Sequence, residues 1–254
     1  MKEFIKKLLP KWLLHMYWLA RVLRVKVIKW VPRYNEDELI TAHNCDFMKD
    51  RHFMRCYDSA VNLGLAVSEK IHWRAHVICW AADRGRSLEG DFVECGVNKG
   101  FLSRIAMEYV DFGKLPKTFY LMDTFEGFSE KYLTEQDIKA GKRPDSYEPC
   151  HEQVKNTFRE FQNVTIIKGP IPDTLPEAGT GKVAYLHIDM NCVLPEIAAA
   201  EYFWDKLVSG AAVILDDYGH SGHEEQKRAF DGFALSKDVK ILTLPTGQGL
   251  IIKP

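Results

Sequence analysis

The sequence predicts an α/β fold: five parallel strands and a C-terminal antiparallel pair, flanked by helices and preceded by a helical extension. Three observations carry this. From Gly90 onward, short runs rich in Val, Ile, Tyr and Phe alternate with helix-compatible segments, the pattern of a parallel sheet. Several runs are apolar on consecutive residues, as in strands buried on both faces. The chain closes with two apolar runs around Pro245-Thr246-Gly247-Gln248-Gly249, which reads as a hairpin.

The N-terminal part, residues 1–85, is expected to be a helical extension, with the sheet domain in 86–254. Residues 1–34 hold nine Lys/Arg against one acid, Glu3. The whole chain is −1, so the remainder carries −9. Ile5, Leu9, Trp12, Leu13, Met16, Ala20, Leu23 and Val27 fall near one helix face, with Lys7, Lys11, Arg21 and Lys29 opposite. Such a segment suits packing on its own domain, a homo-oligomer interface, or peripheral contact with an anionic membrane. Its longest uncharged run, Trp12 to Ala20, is too short to span a bilayer. No small-residue cleavage site follows it, which argues against a signal peptide. Residues 46–85 have helical periodicity and almost no turn signals, so two or more helices are expected there.

Of 254 residues, 46% are hydrophobic and 27% charged, an ordinary globular composition. The six cysteines (Cys45, Cys56, Cys79, Cys95, Cys150 and Cys192) are scattered without metal-like spacing. They fit a reducing compartment, so a cytoplasmic location is expected, with the inner face of the membrane as a variant. No nucleic-acid partner is expected.

Ligands of a doubly wound sheet bind beyond the carboxyl ends of its strands, which makes the residues closing each run the candidates. The first run gives "VECGVNKGFLSRI", with Glu94, Gly96 and Gly100 leading into a helix that carries Ser103. Glycines there let the backbone approach a ligand, and the helix start offers free N–H groups. The second run ends at Asp123, 29 residues after Glu94, where a carboxylate can accept both hydroxyls of a ribose. The fourth run, "VAYLHIDMNC", ends at Asp189, and the fifth at Asp216-Asp217. Neighbouring parallel strands lie roughly 4.8 Å apart, so these carboxylates can share one cation. Three oxygen donors with open positions suit Mg²⁺. His220 and His223, just beyond, are the candidate bases, whereas His187, inside its strand, reads as structural. Gly127 to Cys150, long and polar, reads as a lid or disordered insert.

"GDFVECGVNKG", "LMDTFEGF", "IIKGPIPDTLPE", "LHIDMN" and "VILDDYG" stand in this order from Asp91 onward. In this the sequence resembles the macrocin O-methyltransferase family, class I S-adenosyl-L-methionine-dependent enzymes that methylate sugar hydroxyls in natural-product pathways. The resemblance implies a Rossmann-like class I methyltransferase sheet. It implies Glu94, Gly96, Val97 and Ser103 around the methionine part of the cofactor. Asp123 and Thr124 would hold the ribose, and Gly169 would lie at the adenine. It implies Mg²⁺ on Asp189, Asp216 and Asp217, with Asp189, His220 and His223 as the groups that activate a hydroxyl. The acceptor would be a small molecule or glycan bearing a sugar. The family usually shows Asp-Gly-Asp after the fourth strand; here Asp189-Met190-Asn191 replaces it. Two alternatives stay open: a nicotinamide-dependent oxidoreductase, and a methyltransferase-like binding protein without catalysis. The former lacks a third glycine and a Tyr-x-x-x-Lys pair after a suitable strand.

Overall fold

The computed structural model describes residues 10, 31–66 and 70–254. The amphipathic segment read in residues 1–34 lies almost wholly outside them. The described residues fall into two compact units, one with 31–35 and 40–45, the other with 36–39 and the described part of 46–254. In the first, the Arg33 N–H donates to the Thr41 carbonyl at 2.8 Å. The short strands β1 (Tyr34–Glu36) and β2 (Leu39–Thr41) form a separate two-stranded sheet.

The second unit holds the main sheet. Its strands are β3 (Asp91–Cys95), β4 (Phe119–Asp123), β5 (Val164–Lys168), β6 (Val183–Ile188), β7 (Leu207–Leu215), β8 (Leu242–Thr243) and β9 (Gly249–Ile252). They run in the order β5-β4-β3-β6-β7-β9-β8. The first five are parallel; β9 lies antiparallel to β7 and β8 antiparallel to β9. The chain therefore leaves β3 first toward one edge and later returns to its other side at β6. That reversal opens a crevice beyond the strand ends.

Alternation along the strands explains the two cores. Phe92, Phe119, Leu121, Tyr185, Ala212 and Ile214 face one side. There they meet helices α1 (Arg51–Asn62), α2 (His72–Arg86) and α3 (Phe101–Tyr109). Val93, Cys95, Met122, Leu186, Ile188, Val213 and Leu215 face the other side. Two later helices, Val193–Trp204 and Glu224–Ser236, cover that face. The helices of 51–86, read as part of the extension, thus belong to the same compact unit as the sheet. Asp50 caps α1 by accepting the His52 N–H at 2.8 Å.

The polar stretch Gly127 to Cys150 is folded. It contains the short helix α4 (Glu135–Lys139), whose Thr134 and Asp137 form a reciprocal capping box. Helix α5 (His151–Phe158) follows it, and the helices covering the second face are α6 (Val193–Trp204) and α7 (Glu224–Ser236). No helix among the described residues is long and apolar enough to cross a membrane.

Candidate active site

The tips of the parallel strands open into a cavity of about 300 Å³. On one wall stand Gly96, Asp123, Thr124 and Gly169, from the ends of β3, β4 and β5. Gly96 has φ +90°, and a Cβ there would lie 1.8 Å from the Asp189 carbonyl oxygen. Only glycine lets the tips of β3 and β6 close up at this point.

Asp123 stitches the turns of this wall together. Its Oδ2 accepts the N–H groups of Val97 at 2.6 Å and Asn98 at 2.8 Å. Its Oδ1 accepts the Phe125 N–H at 2.7 Å and the Thr124 hydroxyl at 3.1 Å. Three of the residues expected at a cofactor do not line the cavity. Ser103 is fully buried and donates its hydroxyl to Glu94 Oε2 at 2.5 Å. Glu94 is buried, and Val97 is buried with its N–H given to Asp123. These side chains hold the wall from behind.

On the opposite wall stand Asp189, Asn191, Asp216, Asp217 and Arg74. Strand register explains the meeting: Ile188 pairs with Cys95 on one side and Leu215 on the other. The ladder runs one step further, because Asp189 N–H donates to Cys95 and Asp216 N–H to Ile188. Asn191, at φ +58°, turns the chain sharply and donates from Nδ2 to Asp189 Oδ1 at 3.2 Å. That left-handed conformation suits Asn among non-glycine residues.

Beneath this wall runs a buried chain of charges. His187 lies between Glu94 Oε1, 3.3 Å from its Nδ1, and Asp216 Oδ1, 3.6 Å from its Nε2. Burial opposes its charge, but Asp216 and Glu94 outweigh burial and push its pKa up to about 10. Asp216 also accepts from Arg74 Nη1 at 2.8 Å and Gln248 Nε2 at 2.8 Å. Burial would raise its pKa; His187, Arg74 and Gln248 together hold it well below the usual carboxylate range. Arg74 is gripped in turn by Asp37, Nε to Oδ2 at 2.9 Å and Nη2 to Oδ1 at 2.7 Å. Asp189, Asp217 and Glu196 have the opposite fate: burial first, then the neighbouring acids, push all three upward.

The donors fit a hard cation such as Mg²⁺. They are carboxylate oxygens at a cavity wall, and Asp217 Oδ2 is buried without a hydrogen-bond partner, as are both ring nitrogens of His187. The first wall fits a nucleoside cofactor, with glycine backbone and a carboxylate on a concave surface. His220 and His223 do not line the cavity. His223 Nδ1 contacts Gln226 at 2.7 Å and lies 3.8 Å from Asp217 Oδ1, while His220 packs against Gly247. His220 Nε2 is buried without a hydrogen-bond partner.

The segment after β4 covers the opening, with Phe128, Ser129, Tyr132, Tyr147 and Glu148 lining it. It is fastened twice. Lys131 and Tyr132 bind Asp173, the lysine at 2.9 Å. Lys142 bridges Asp137, at 2.7 Å, and the Asn191 carbonyl. Burial, then Asp189 and Asp217, push the Tyr147 hydroxyl up to about 12.

Sequence reading missed Gln248, Glu196 and Tyr147, and left Arg74 without a role. Glu196 did leave a signal: it is the one acid in "VLPEIAAA", on the inward side of an apolar helix. Arg74 and Gln248 left none, because neither belongs to a motif and both arrive from distant parts of the chain.

The sheet order, the reversed last strands and the cavity at the switch point define an α/β methyltransferase fold. The solved structure of the O-methyltransferase NovP matches it with a TM-score of 0.60 at 23% identity, over 71% of this chain and 79% of that one. The crystal structure of CalS11, a calicheamicin methyltransferase, matches at 0.57 and 14% identity, over 70% and 78%. A family model described as macrocin O-methyltransferase (TylF) matches residues 78–242. The chain belongs to the macrocin O-methyltransferase family of class I S-adenosylmethionine-dependent methyltransferases. Two curated relatives come from Streptomyces. One is the 8-demethyl-8-(2,3-dimethoxy-alpha-L-rhamnosyl)-tetracenomycin-C 4'-O-methyltransferase of Streptomyces olivaceus, 30% identical over 139 residues, 51% of this chain and 53% of that protein. The other is the demethyldecarbamoylnovobiocin O-methyltransferase of Streptomyces niveus, 26% identical over 145 residues, 53% and 55%. The chain spans about half the length of these curated relatives.

Proposed function

We propose that the protein is an S-adenosylmethionine-dependent O-methyltransferase that methylates a hydroxyl of a sugar or glycan-like acceptor with the help of Mg²⁺. One observation carries the reading: a glycine-and-carboxylate wall and an aspartate wall face each other across a single cavity. Family membership supports the reaction class, and the names of the relatives support a sugar-bearing acceptor.

In this reading Gly96, Asp123, Thr124 and Gly169 bind the cofactor, while Glu94, Val97 and Ser103 keep that wall in shape. Asp189, Asp216 and Asp217 form the cation wall. When bound, the cofactor supplies an electrophilic methyl on a sulfonium, and Mg²⁺ supplies Lewis acidity that makes an acceptor hydroxyl easier to deprotonate. The chain holds the hydroxyl opposite the cofactor wall, so attack is in line. The hydroxyl proton passes to the carboxylates of the Asp189 side, not to His220 or His223. Phe128, Tyr132 and Tyr147 close over the acceptor and exclude water. A homo-oligomer and a peripheral membrane contact through residues 1–34 remain part of the proposal, as does a cytoplasmic location.

The test is transfer of a labelled methyl group from S-adenosylmethionine to a panel of sugar-bearing small molecules and glycans, with and without chelator. Labelled ether product that falls on chelation is expected. Calorimetry that finds NAD bound and S-adenosylhomocysteine rejected would contradict the reading and favour the oxidoreductase.

A further inference from the structure

The tip of the β1–β2 hairpin reaches the cavity wall through one side chain. Asp37 and Glu38 join Tyr34–Glu36 to Leu39–Thr41, and both are left-handed, at φ +53° and +56°. A two-residue turn of this hand follows the twist of its strands, and glycine, asparagine and aspartate are the residues that usually open it. Asp37 therefore suits the turn. It also brings a carboxylate to the tip.

The tip, Glu36–Leu39, belongs to the same compact unit as the main sheet. It is fastened there at the start of α2. Glu36 Oε1 lies 3.8 Å from Lys70 Nζ, an exposed pair that contributes little. Asp37 is only 8% exposed, and its two oxygens take two nitrogens of Arg74, Nε at 2.9 Å and Nη2 at 2.7 Å. Such a two-pronged grip fixes a guanidinium in one orientation as well as in place. The third nitrogen, Nη1, is thereby aimed at Asp216 Oδ2, 2.8 Å away.

Arg74 lines the cavity, and Asp37 does not. The same cavity is lined by Asp189 and Asp217. A long cationic side chain released from behind would regain its rotamers and be drawn toward these carboxylates, into the space an acceptor needs. Asp37 opposes that movement from outside the cavity. Asp37 and Arg74 both stand outside residues 78–242, the stretch that the family model matches.

Resting on the proposed methyltransferase reading, we propose that Asp37 is a positioning residue for methyl transfer. It holds Arg74 from behind, keeps the guanidinium on Asp216 and out of the acceptor space, and makes the hairpin tip a working part of the active site.

Two measurements on the full chain test this. The first is ¹⁵N NMR of the Arg74 guanidinium, which needs neither cofactor nor acceptor. Restricted rotation is expected to give separate Nη signals in the natural chain, and these are expected to merge in Asp37→Asn. The second is transfer of a labelled methyl group from S-adenosylmethionine to 4-nitrophenyl α-L-rhamnoside, a probe that carries the sugar named for the acceptor of one relative. Asp37→Asn is expected to lower kcat by about 10- to 100-fold, the scale for a displaced group at a reacting centre. KM for S-adenosylmethionine and the affinity for S-adenosylhomocysteine should stay within about 3-fold, because neither Asp37 nor Arg74 stands on the cofactor wall. Asp37→Gly suits the same turn and lacks only the carboxylate, so it should fold and lose as much kcat as Asp37→Asn. Asp37→Glu, which keeps the carboxylate, should recover most of the loss. Arg74→Lys keeps the charge but cannot take the two-pronged grip, so adding Asp37→Asn to it should cost nothing further. Separate Nη signals that persist in Asp37→Asn, natural kcat in Asp37→Gly, or losses that add in the double variant would each overturn the proposal. If the natural chain binds no S-adenosylhomocysteine or methylates no probe, the methyltransferase reading is what fails. The guanidinium signals then decide alone: merged signals in Asp37→Asn support the hold on Arg74, and separate ones overturn it.

Discussion

The two walls of the cavity are built in opposite ways. The wall at the ends of β3, β4 and β5 is held by backbone. Asp123 alone takes three main-chain N–H groups, and Gly96 is fixed by a close approach no other residue allows. The wall at the ends of β6 and β7 is held by side-chain charge, in a string from Asp37 through Arg74, Asp216 and His187 to Glu94. A backbone-built wall shapes a surface that a conserved molecule can fill. A charge-built wall can be retuned by single substitutions, and this is where the chain departs from the usual Asp-Gly-Asp pattern.

That contrast can be broken by substitution. The largest expected effect is on turnover. Asp189→Asn should lower methyl transfer by about 10²–10⁴-fold, the range for loss of a proton-handling group, while the thermal midpoint moves little. An unchanged rate in the transfer assay would remove Asp189 from the chemistry.

The next effect falls on stability. Arg74→Met leaves Asp37 and Asp216 buried without their partner, which should cost about 3–5 kcal/mol. In calorimetry that is a fall of roughly 10 °C for a chain of this size. A variant as stable as the natural chain would mean that the charge string contributes nothing to the wall.

A smaller effect should appear with pH. The folded pKa of His187 is raised to about 10, above an unfolded value near ~6.5. Its contribution is therefore full below that unfolded value and is lost as pH climbs toward the folded one. The thermal midpoint, measured without metal, should decline between those limits. His187→Gln, which cannot titrate, should flatten that part of the decline, and a slope identical to the natural chain would refute the assignment. The smallest effect is expected at the covering segment. Lys142→Ala removes its bridge to Asp137 and the Asn191 carbonyl, and should raise KM for acceptor a few-fold with little change in S-adenosylhomocysteine affinity, as for a partly buried charged hydrogen bond. A changed cofactor affinity with unchanged KM would assign the latch to the other wall.

The same contrast explains what was legible in the sequence. The sheet could be read because β3, β6 and β7 are apolar on successive residues, and because each strand tip carries a glycine or an acid that closes the run. The hairpin was marked by Pro245 and Gly247 between two apolar runs. The meeting of Asp189 with Asp216 followed from strand adjacency. What could not be read was the state of each side chain once it arrived. Ser103 looked available at a helix start, yet folding points it inward at Glu94. His220 and His223 looked like bases beside the aspartates, yet the turn after β7 carries them off the cavity. His187 looked structural, and it sits buried between two acids. Arg74 and Asp37 come from 142 and 179 residues upstream of Asp216. No local pattern announces a pairing over such distances.

The account rests on a division of labour between the walls, and calorimetric binding of S-adenosylhomocysteine to two variants tests it most directly. Asp123→Ala should weaken binding by about 10- to 100-fold, the worth of charge-assisted hydrogen bonds, whereas Asp217→Asn should bind within about 3-fold of the natural chain, because Asp217 holds no part of the cofactor. Equal affinity of Asp123→Ala and the natural chain, or equal loss in both variants, would contradict the division.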